Sequence, residues 1–204
     1  MPISSSPRAL PQLLSLPEEE RRLGPFRLIR QLGRGGFAPV WLAEEAYDGK
    51  KLRDVAIKLF FLPEGLSPAS PEALRWREEI LDEARALCRV EHPNVVRFYS
   101  IQQDDAFGVV GLAMEYAPGR SLDVLVREAG RLDERTAIEV GIDVAWALAA
   151  VHNAGLVHRD IKPANIIQGS SGGFKLIDFG IVAADLGLRA VPPSSVPSSK
   201  VPSS

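Results

Sequence analysis

The chain carries the stretch His158-Arg159-Asp160-Ile161-Lys162-Pro163-Ala164-Asn165 in the last third of its 204 residues. This stretch places three different polar groups close together: the carboxylate of Asp160, the ammonium of Lys162 and the carboxamide of Asn165. The apolar pair Ile166-Ile167 follows at once and predicts a short strand. Asp160 could accept a proton from an attacking hydroxyl, and Lys162 could neutralise a phosphate.

A second acidic motif, Asp178-Phe179-Gly180, follows thirteen residues after Asn165. It ends another short apolar run, and the two runs are separated by Gln168-Gly169-Ser170-Ser171-Gly172-Gly173. Two short strands joined in this way predict a β-hairpin that can bring Asn165 and Asp178 side by side. Amide and carboxylate oxygens suit a hard cation such as Mg²⁺. A chance turn is the alternative, but the two motifs agree in order and distance.

These two motifs resemble the catalytic loop and the metal-binding Asp-Phe-Gly of the protein kinases. The resemblance implies that Asp160 orients and deprotonates a substrate hydroxyl, and that Lys162 steadies the γ-phosphoryl group of ATP. It also implies that Asn165 and Asp178 hold Mg²⁺. The position of Lys162 resembles serine/threonine kinases, especially the bacterial, eukaryotic-like ones. Because Arg159 and Lys162 follow this pattern, a small-molecule phosphotransferase is disfavoured.

A glycine-rich stretch, Gly33-Arg34-Gly35-Gly36-Phe37-Ala38-Pro39-Val40, separates two predicted strands. Glycines let backbone N–H groups approach phosphate oxygens, because no Cβ intervenes. The spacing resembles the phosphate-covering loop of the protein kinases at two of its three glycines, with Val40 in place. Ala38 stands where the third glycine is usual, and Pro39 is a further departure. A plain glycine hairpin is the alternative.

The strand Asp54-Val55-Ala56-Ile57-Lys58-Leu59-Phe60-Phe61 places a lysine within an alternating apolar run. Such a charge is costly unless an opposite charge meets it. Glu83 lies within the apolar stripe of the next predicted helix, which begins at Ser70-Pro71-Glu72, and is the candidate partner. The protein kinases pair the lysine of the same Val-Ala-Ile-Lys strand with a helix glutamate, which implies that Lys58 and Glu83 position the ATP phosphates. A glutamate at the rim of the stripe is the alternative.

The stretch Met114-Glu115-Tyr116-Ala117-Pro118-Gly119 resembles the segment that joins the two lobes of a protein kinase. We call residues 115–119 the hinge. The resemblance implies that adenine binds to backbone groups of Glu115 and Ala117, with Met114 gating the pocket behind them. The implied ATP-binding set comprises Val40 and Ala56 above the adenine ring, Ile167 below it, and Leu32, Gly33, Gly35, Lys58, Met114, Glu115 and Ala117.

The predicted fold is α+β and protein-kinase-like, with a small antiparallel sheet and one long helix, then an incomplete, mainly helical lobe. The expected parts of the chain are a flexible leader over 1–24, the first lobe and hinge over 25–117, a partial second lobe over 118–186 and a Pro/Ser-rich disordered tail over 187–204. In the second lobe a helix should run from an Asp133 cap to Gly155. The later helices of the family that would cover its apolar face are missing, so we expect that face to be exposed.

Composition disfavours several other classes of protein. A formal net charge of −2 gives no electrostatic basis for binding nucleic acid or an anionic membrane. No apolar run approaches the ~20 residues that cross a bilayer. One cysteine, Cys88, excludes an internal disulfide, and the N-terminus lacks a signal pattern. We therefore predict a cytoplasmic protein.

Two functions from different classes follow from these patterns. The first is an ATP- and Mg²⁺-dependent serine/threonine protein kinase that phosphorylates a protein hydroxyl. The second is a nucleotide-binding module that does not transfer phosphate and docks to a partner protein through the exposed helix. A third possibility is a chain without a stable fold, because its tail is short and repetitive.

Overall fold

The computed structural model describes residues 12–34, 38–63, 65–169 and 172–177, and of Arg34 and Glu83 it describes the backbone alone. The described strands are β1 (Arg22–Leu23), β2 (Phe26–Arg34), β3 (Pro39–Tyr47), β4 (Lys50–Phe61), β5 (Phe98–Asp104), β6 (Val109–Glu115), β7 (Gly119–Ser121), β8 (Ile166–Gly169) and β9 (Phe174–Leu176). The described helices are α1 (Gln12–Ser15), α2 (Pro71–Leu87), α3 (Leu122–Ala129) and α4 (Glu134–Asn153). The mixed α+β class agrees with the prediction.

The first lobe is built on an antiparallel sheet with the strand order β1-β2-β3-β4-β6-β5. Its strand β4 alternates as the sequence predicts. Val55, Ile57 and Leu59 are buried in a core on the outer face, whereas Phe60 belongs to a core on the inner face. Lys58 is in phase with Phe60, so it lies on the inner face.

The outer face is covered by the N-terminal segment 12–23, where the sequence predicts a flexible leader. Leu13 of α1 and Leu23 of β1 are fully buried in the outer core. The structure therefore differs from the expected leader over its second half, because the apolar outer face of the sheet needs a cover. Residues 1–11 and those from 178 onward, including the predicted tail, lie outside the described residues.

Helix α2 packs against the inner face of the sheet. Ser70 caps the helix by accepting the Ala73 N–H on its Oγ at 3.2 Å, and Pro71 occupies the first turn, as predicted. Ile80 and Leu87 are buried in the inner core on the same stripe as Ala73. These apolar residues lie along one side of α2, and that side therefore packs against the sheet.

The second lobe combines α3 and α4 with a small antiparallel sheet in the order β7-β8-β9. Asp133 caps α4 by accepting the Thr136 N–H at 2.9 Å, which confirms the predicted start of the helix. Among the described ranges, no helix has the length and apolar character needed to cross a membrane.

One face of α4 is apolar and is left uncovered by the described residues. Ile138, Ile142 and Trp146 are 55%, 52% and 61% exposed. Ala147 and Val151, on the other side of the helix, are buried in the inner core. The expected exposure of an apolar α4 face is therefore present in the described part of the chain.

Besides the hinge, a second junction joins the two lobes. Strand β9 lies beside residues 94–96, which follow α2, and Val95 forms a parallel bridge with Leu176. The Leu176 N–H donates to the Asn94 carbonyl at 2.7 Å. The Asn94 Nδ2 donates to the Phe174 carbonyl at 2.8 Å. The end of the β8–β9 hairpin is thereby attached to the first lobe as well as to the second.

Candidate active site

The Asp160 carboxylate lies at the centre of a polar cluster in the loop before β8. Its Oδ2 accepts from Lys162 Nζ at 2.6 Å and from Asn165 Nδ2 at 2.9 Å. The same Asn165 Nδ2 donates to the Asp160 carbonyl at 2.9 Å. The structure therefore brings together three residues that the sequence singles out, and one amide group fixes both the backbone and the side chain of Asp160.

Local turns hold this loop in place. His158 is buried, and its carbonyl accepts the Asp160 N–H at 2.9 Å. Arg159, between them, has a φ of 63°, in the left-handed region that non-glycine residues seldom adopt. A single 3-10 turn then ends at Asn165, whose N–H donates to the Lys162 carbonyl at 2.9 Å. The loop is thus anchored in the core at one end and tightly turned at the other.

The pKa of Asp160 is lowered below its ordinary value of 3.8, chiefly because Lys162 donates a hydrogen bond to the carboxylate. Desolvation raises the pKa of Asp160, whereas the hydrogen bond from Asn165 lowers it further. The carboxylate is therefore ionised at neutral pH. The Asp160 and Lys162 side chains are 36% and 45% exposed, so both can contact a ligand without rearrangement of the loop.

Strands β8 and β9 form the predicted antiparallel hairpin, with Ile166 opposite Leu176. The Ile177 N–H donates to the Asn165 carbonyl at 2.8 Å, which extends the pairing by one step. Asp178 is the next residue in the chain and lies outside the described residues. Its pairing with Asn165 stays a prediction.

The Asn165 side chain has an oxygen suited to a cation. It is buried, and its Nδ2 makes both hydrogen bonds to Asp160. Its Oδ1 is not used toward Asp160 and can therefore serve as a hard oxygen ligand. Mg²⁺ keeps several waters and takes one or two protein oxygens, so an amide oxygen here is chemically suited to it. The second ligand, Asp178, lies outside the described residues, and the metal site stays a prediction.

Lys58 is buried on the inner face of the sheet, with 5% of its surface exposed. The strand register sets it opposite Val40 on β3 and Leu112 on β6, and its Nζ lies 5.7 Å from the centroid of the Phe60 ring. The backbone of Glu83 belongs to α2, which packs on this face. The Glu83 side chain lies outside the described residues, so the Lys58–Glu83 ion pair stays a prediction.

The strand register also gathers three residues implied for adenine binding. Ala56 lies opposite Met114 on β6 and shares the inner face with Lys58, two residues further along β4. Val40 lies opposite Lys58 on β3 and therefore on the same face. Ile167, the residue implied below the ring, is half-buried on the central strand of the second-lobe sheet.

The described part of the glycine-rich stretch is a β-hairpin stem. Gly33 lies opposite Val40, and Leu32 beside it is half-buried. Ala38, the residue in place of the third glycine, is buried. Gly35 lies outside the described residues, so its contact with phosphate stays a prediction.

The hinge begins at Glu115, the last residue of β6. Met114, one residue earlier in that strand, is buried, and Ala117 is half-buried in the connection to β7. At Gly119 an added Cβ would lie 1.9 Å from the Gln168 carbonyl oxygen. Glycine is therefore required for β7 to approach β8, and this close approach fixes where the hinge enters the second lobe.

One polar contact at the hinge has no counterpart in the sequence-based expectations. Lys175 Nζ lies 2.5 Å from Glu115 Oε1 and joins β9 to the hinge. The local signal is a lysine within an apolar strand, where a charge needs an opposite charge. Nothing in the sequence identifies its partner, which lies 60 residues away in the chain.

Comparisons with known proteins agree with this geometry. Residues 26–188 match the family described as the protein kinase domain. The chain is 38% identical over 162 residues to the serine/threonine-protein kinase PksC of Streptomyces coelicolor, which covers 76% of this chain and 28% of that protein. It is 34% identical over 166 residues to the serine/threonine-protein kinase PrkC of Bacillus subtilis, which covers 81% of this chain and 24% of that protein.

A relative from a third bacterium shows the same level of identity. A further relative, the serine/threonine-protein kinase PknD of Mycobacterium tuberculosis, is 34% identical over 176 residues, or 85% of this chain and 25% of that protein. The chain thus spans about a quarter of the length of these curated relatives. The α+β fold and these matches confirm the resemblance that the sequence motifs indicated. The chain belongs to the protein kinase family, and the three relatives described above are bacterial serine/threonine-protein kinases.

Proposed function

We propose that the chain binds Mg²⁺–ATP and transfers the γ-phosphoryl group to a serine or threonine hydroxyl of a protein. The observation that carries this proposal is the Asp160 carboxylate, held by the Lys162 ammonium at 2.6 Å and by the Asn165 carboxamide at 2.9 Å. Family membership supports the reaction class, and the names of the relatives support serine/threonine specificity. The reaction itself has to be argued from the site.

Asp160 would act on the incoming hydroxyl. Its ionised, partly exposed carboxylate can accept the hydroxyl hydrogen bond and aim the oxygen at the γ-phosphorus. As the new O–P bond forms and the bond between the γ-phosphorus and the bridging oxygen breaks, ADP leaves and the hydroxyl proton passes to the carboxylate. In such loose transition states, positioning supplies most of the catalysis.

Lys162 would supply positive charge beside the transferred group. Its Nζ is already held next to Asp160, and its side chain is 45% exposed. A mobile ammonium at this position can turn from the carboxylate toward the phosphoryl oxygens, where negative charge is spread in the transition state. The ion pair therefore keeps the cation close to where it would be needed.

Asn165 and Asp178 would hold the metal ion. When bound, Mg²⁺ neutralises charge on the ATP phosphates. The Asn165 amide would offer its Oδ1 while its Nδ2 keeps Asp160 in place. Lys58 and Glu83 would position the phosphates from the first lobe.

The test pairs nucleotide-dependent thermal stabilisation with transfer of radiolabelled phosphate. We expect Mg²⁺–ATP to raise the melting temperature of the unaltered chain but not that of Lys58→Met. Lys51→Met is the matched control, since Lys51 is an exposed lysine of the same strand in a surface pair with Asp54. An equal melting shift in Lys58→Met would reject the proposed nucleotide site.

A second candidate function is a nucleotide-binding docking module that performs no transfer. The observation that favours it is the apolar α4 face of Ile138, Ile142 and Trp146, which the described residues leave exposed. A protein partner would be expected to cover such a face. Normal nucleotide binding without detectable transfer by the unaltered chain would favour this function over the first.

The proposed partners are ATP and a protein substrate. With a net charge of −2 we propose neither a nucleic-acid nor a membrane partner. A cytoplasmic location is likewise a proposal, based on the single cysteine.

A further inference from the structure

The hydrogen bonds of Glu115, the first residue of the hinge, depart from a regular antiparallel pair. Its N–H donates to the Arg97 carbonyl at 2.7 Å. A regular pair would return the Arg97 N–H to the Glu115 carbonyl. Instead, the Glu115 carboxylate accepts the Arg97 N–H on Oε2 at 3.2 Å. The Glu115 carboxylate thus accepts the hydrogen bond that the Glu115 carbonyl would accept in a regular pair.

Lys175 holds the other oxygen of the same carboxylate. Its Nζ lies 2.5 Å from Glu115 Oε1, so the two oxygens are divided between two donors. The Lys175 and Glu115 side chains are 28% and 27% exposed, so water screens their attraction only in part. The backbone around Lys175 is itself fixed, because its neighbour Leu176 bonds to Asn94.

We infer that Lys175 is a positioning residue for recognition of the 6-amino group of a purine nucleotide. By fixing the Glu115 carboxylate on the Arg97 N–H, Lys175 would keep that N–H from bonding to the Glu115 carbonyl, a backbone group that the family resemblance implies for adenine. An exocyclic amino group can donate to that carbonyl, whereas a purine without this group cannot. This inference rests on the proposed function, which takes adenine recognition at the Glu115 backbone from the family resemblance, and it adds the side chain that would keep the Glu115 carbonyl in position for that recognition.

Removal of the Lys175 ammonium should therefore change selectivity and not just affinity. Without it the Glu115 carboxylate is free to leave the Arg97 N–H, and the N–H can then return to the Glu115 carbonyl. ATP would lose one hydrogen bond, which weakens its binding about fivefold, the equivalent of roughly 1 kcal/mol. Purine riboside triphosphate, which lacks only the amino group, had no such bond to lose.

The experiment measures the affinities of ATP and purine riboside triphosphate by calorimetry on the 204-residue chain. The variants are Lys175→Met, the conservative Lys175→Arg, and Lys51→Met as the surface-lysine control. We expect Lys175→Met to weaken ATP about fivefold while changing the analogue by less than about twofold. Lys175→Arg should retain the preference for ATP, because it keeps a cationic donor opposite Glu115, and Lys51→Met should match the unaltered chain.

The outcomes separate this inference from the function on which it rests. An equal loss for both nucleotides in Lys175→Met would mean a general structural role and would overturn the inference. No loss for either nucleotide would overturn it as well, while leaving the proposed nucleotide site intact. If the unaltered chain bound neither nucleotide, the proposed function would fail first and the inference with it.

Discussion

The Lys162 ammonium lies 2.6 Å from Asp160 Oδ2, and this contact is the largest cause of the lowered pKa of Asp160. In the proposed function, the pair couples a proton acceptor to a cation that neutralises charge on the phosphate. Because the lysine favours the ionised carboxylate, Asp160 is held in its accepting form over a wider pH range than an isolated aspartate.

The pH dependence of Asp160 should therefore change when Lys162 is removed. We expect the pKa of Asp160 in Lys162→Met to rise toward its ordinary value of 3.8. In the unaltered chain the folded pKa is below the unfolded one, so this stabilising contribution is present above about pH 4 and lost as the pH falls through the folded pKa. Carboxyl ¹³C NMR titration measures the shift directly, and equal Asp160 pKa values in the two proteins would contradict it.

Substitution of the proposed base should separate transfer from binding. We expect Asp160→Asn to reduce phosphate transfer by about 10²- to 10⁴-fold, because the amide cannot take up the hydroxyl proton. Nucleotide affinity should be unchanged. Asp133→Asn, at the cap of α4, is the control and should transfer normally per folded molecule. Robust transfer by Asp160→Asn would remove Asp160 from its proposed role.

The N-terminal segment should contribute to stability. Leu13 is fully buried on the outer face of the first-lobe sheet, so Leu13→Ala should lower the free energy of unfolding by about 2–5 kcal/mol. The exposed Gln12 is one residue away, and Gln12→Ala should change it by no more than about 0.5 kcal/mol. Urea unfolding compares the two. If both substitutions changed the free energy of unfolding by the same small amount, the N-terminal segment would be the flexible leader that the sequence predicts.

Two glycines should respond to alanine with opposite signs. A Cβ at Gly119 would lie 1.9 Å from the Gln168 carbonyl oxygen, so Gly119→Ala should destabilise the fold by about 1–3 kcal/mol. A Cβ at Gly141, in α4, would meet no atom within 4 Å, so Gly141→Ala should stabilise it by about 0.5–1 kcal/mol. Thermal unfolding measures both, and a stabilised Gly119→Ala would contradict the tight β7–β8 approach.

Features set by near neighbours in the chain could be predicted from the sequence. The caps at Ser70 and Asp133 depend on groups three residues away, and both are present in the structure. The alternation of β4 placed Lys58 on the face opposite Val55, Ile57 and Leu59, and the structure shows the same separation. The sequence also singled out Asp160, Lys162 and Asn165 within five residues of one another, although their mutual hydrogen bonds were first seen in the structure.

Features set by distant contacts could not be predicted in this way. Leu13 lies in a segment rich in proline, serine and charge, and its burial depends on an apolar sheet face formed by later strands. Lys175 and Glu115 are 60 residues apart, and the local sequence of neither residue identifies the other as its partner. Their pairing depends on how β9 approaches the hinge, which is a property of the assembled lobes.

The bridge between Val95 and Leu176 bears on how firmly the two lobes are held together. With the connection at 116–118, it joins the lobes through the backbone at two separate places. Leu112 of the first lobe and Val151 of the second also belong to one shared buried core. Separation of the lobes would therefore break backbone hydrogen bonds and expose that core, so we expect the two lobes to unfold as one cooperative unit.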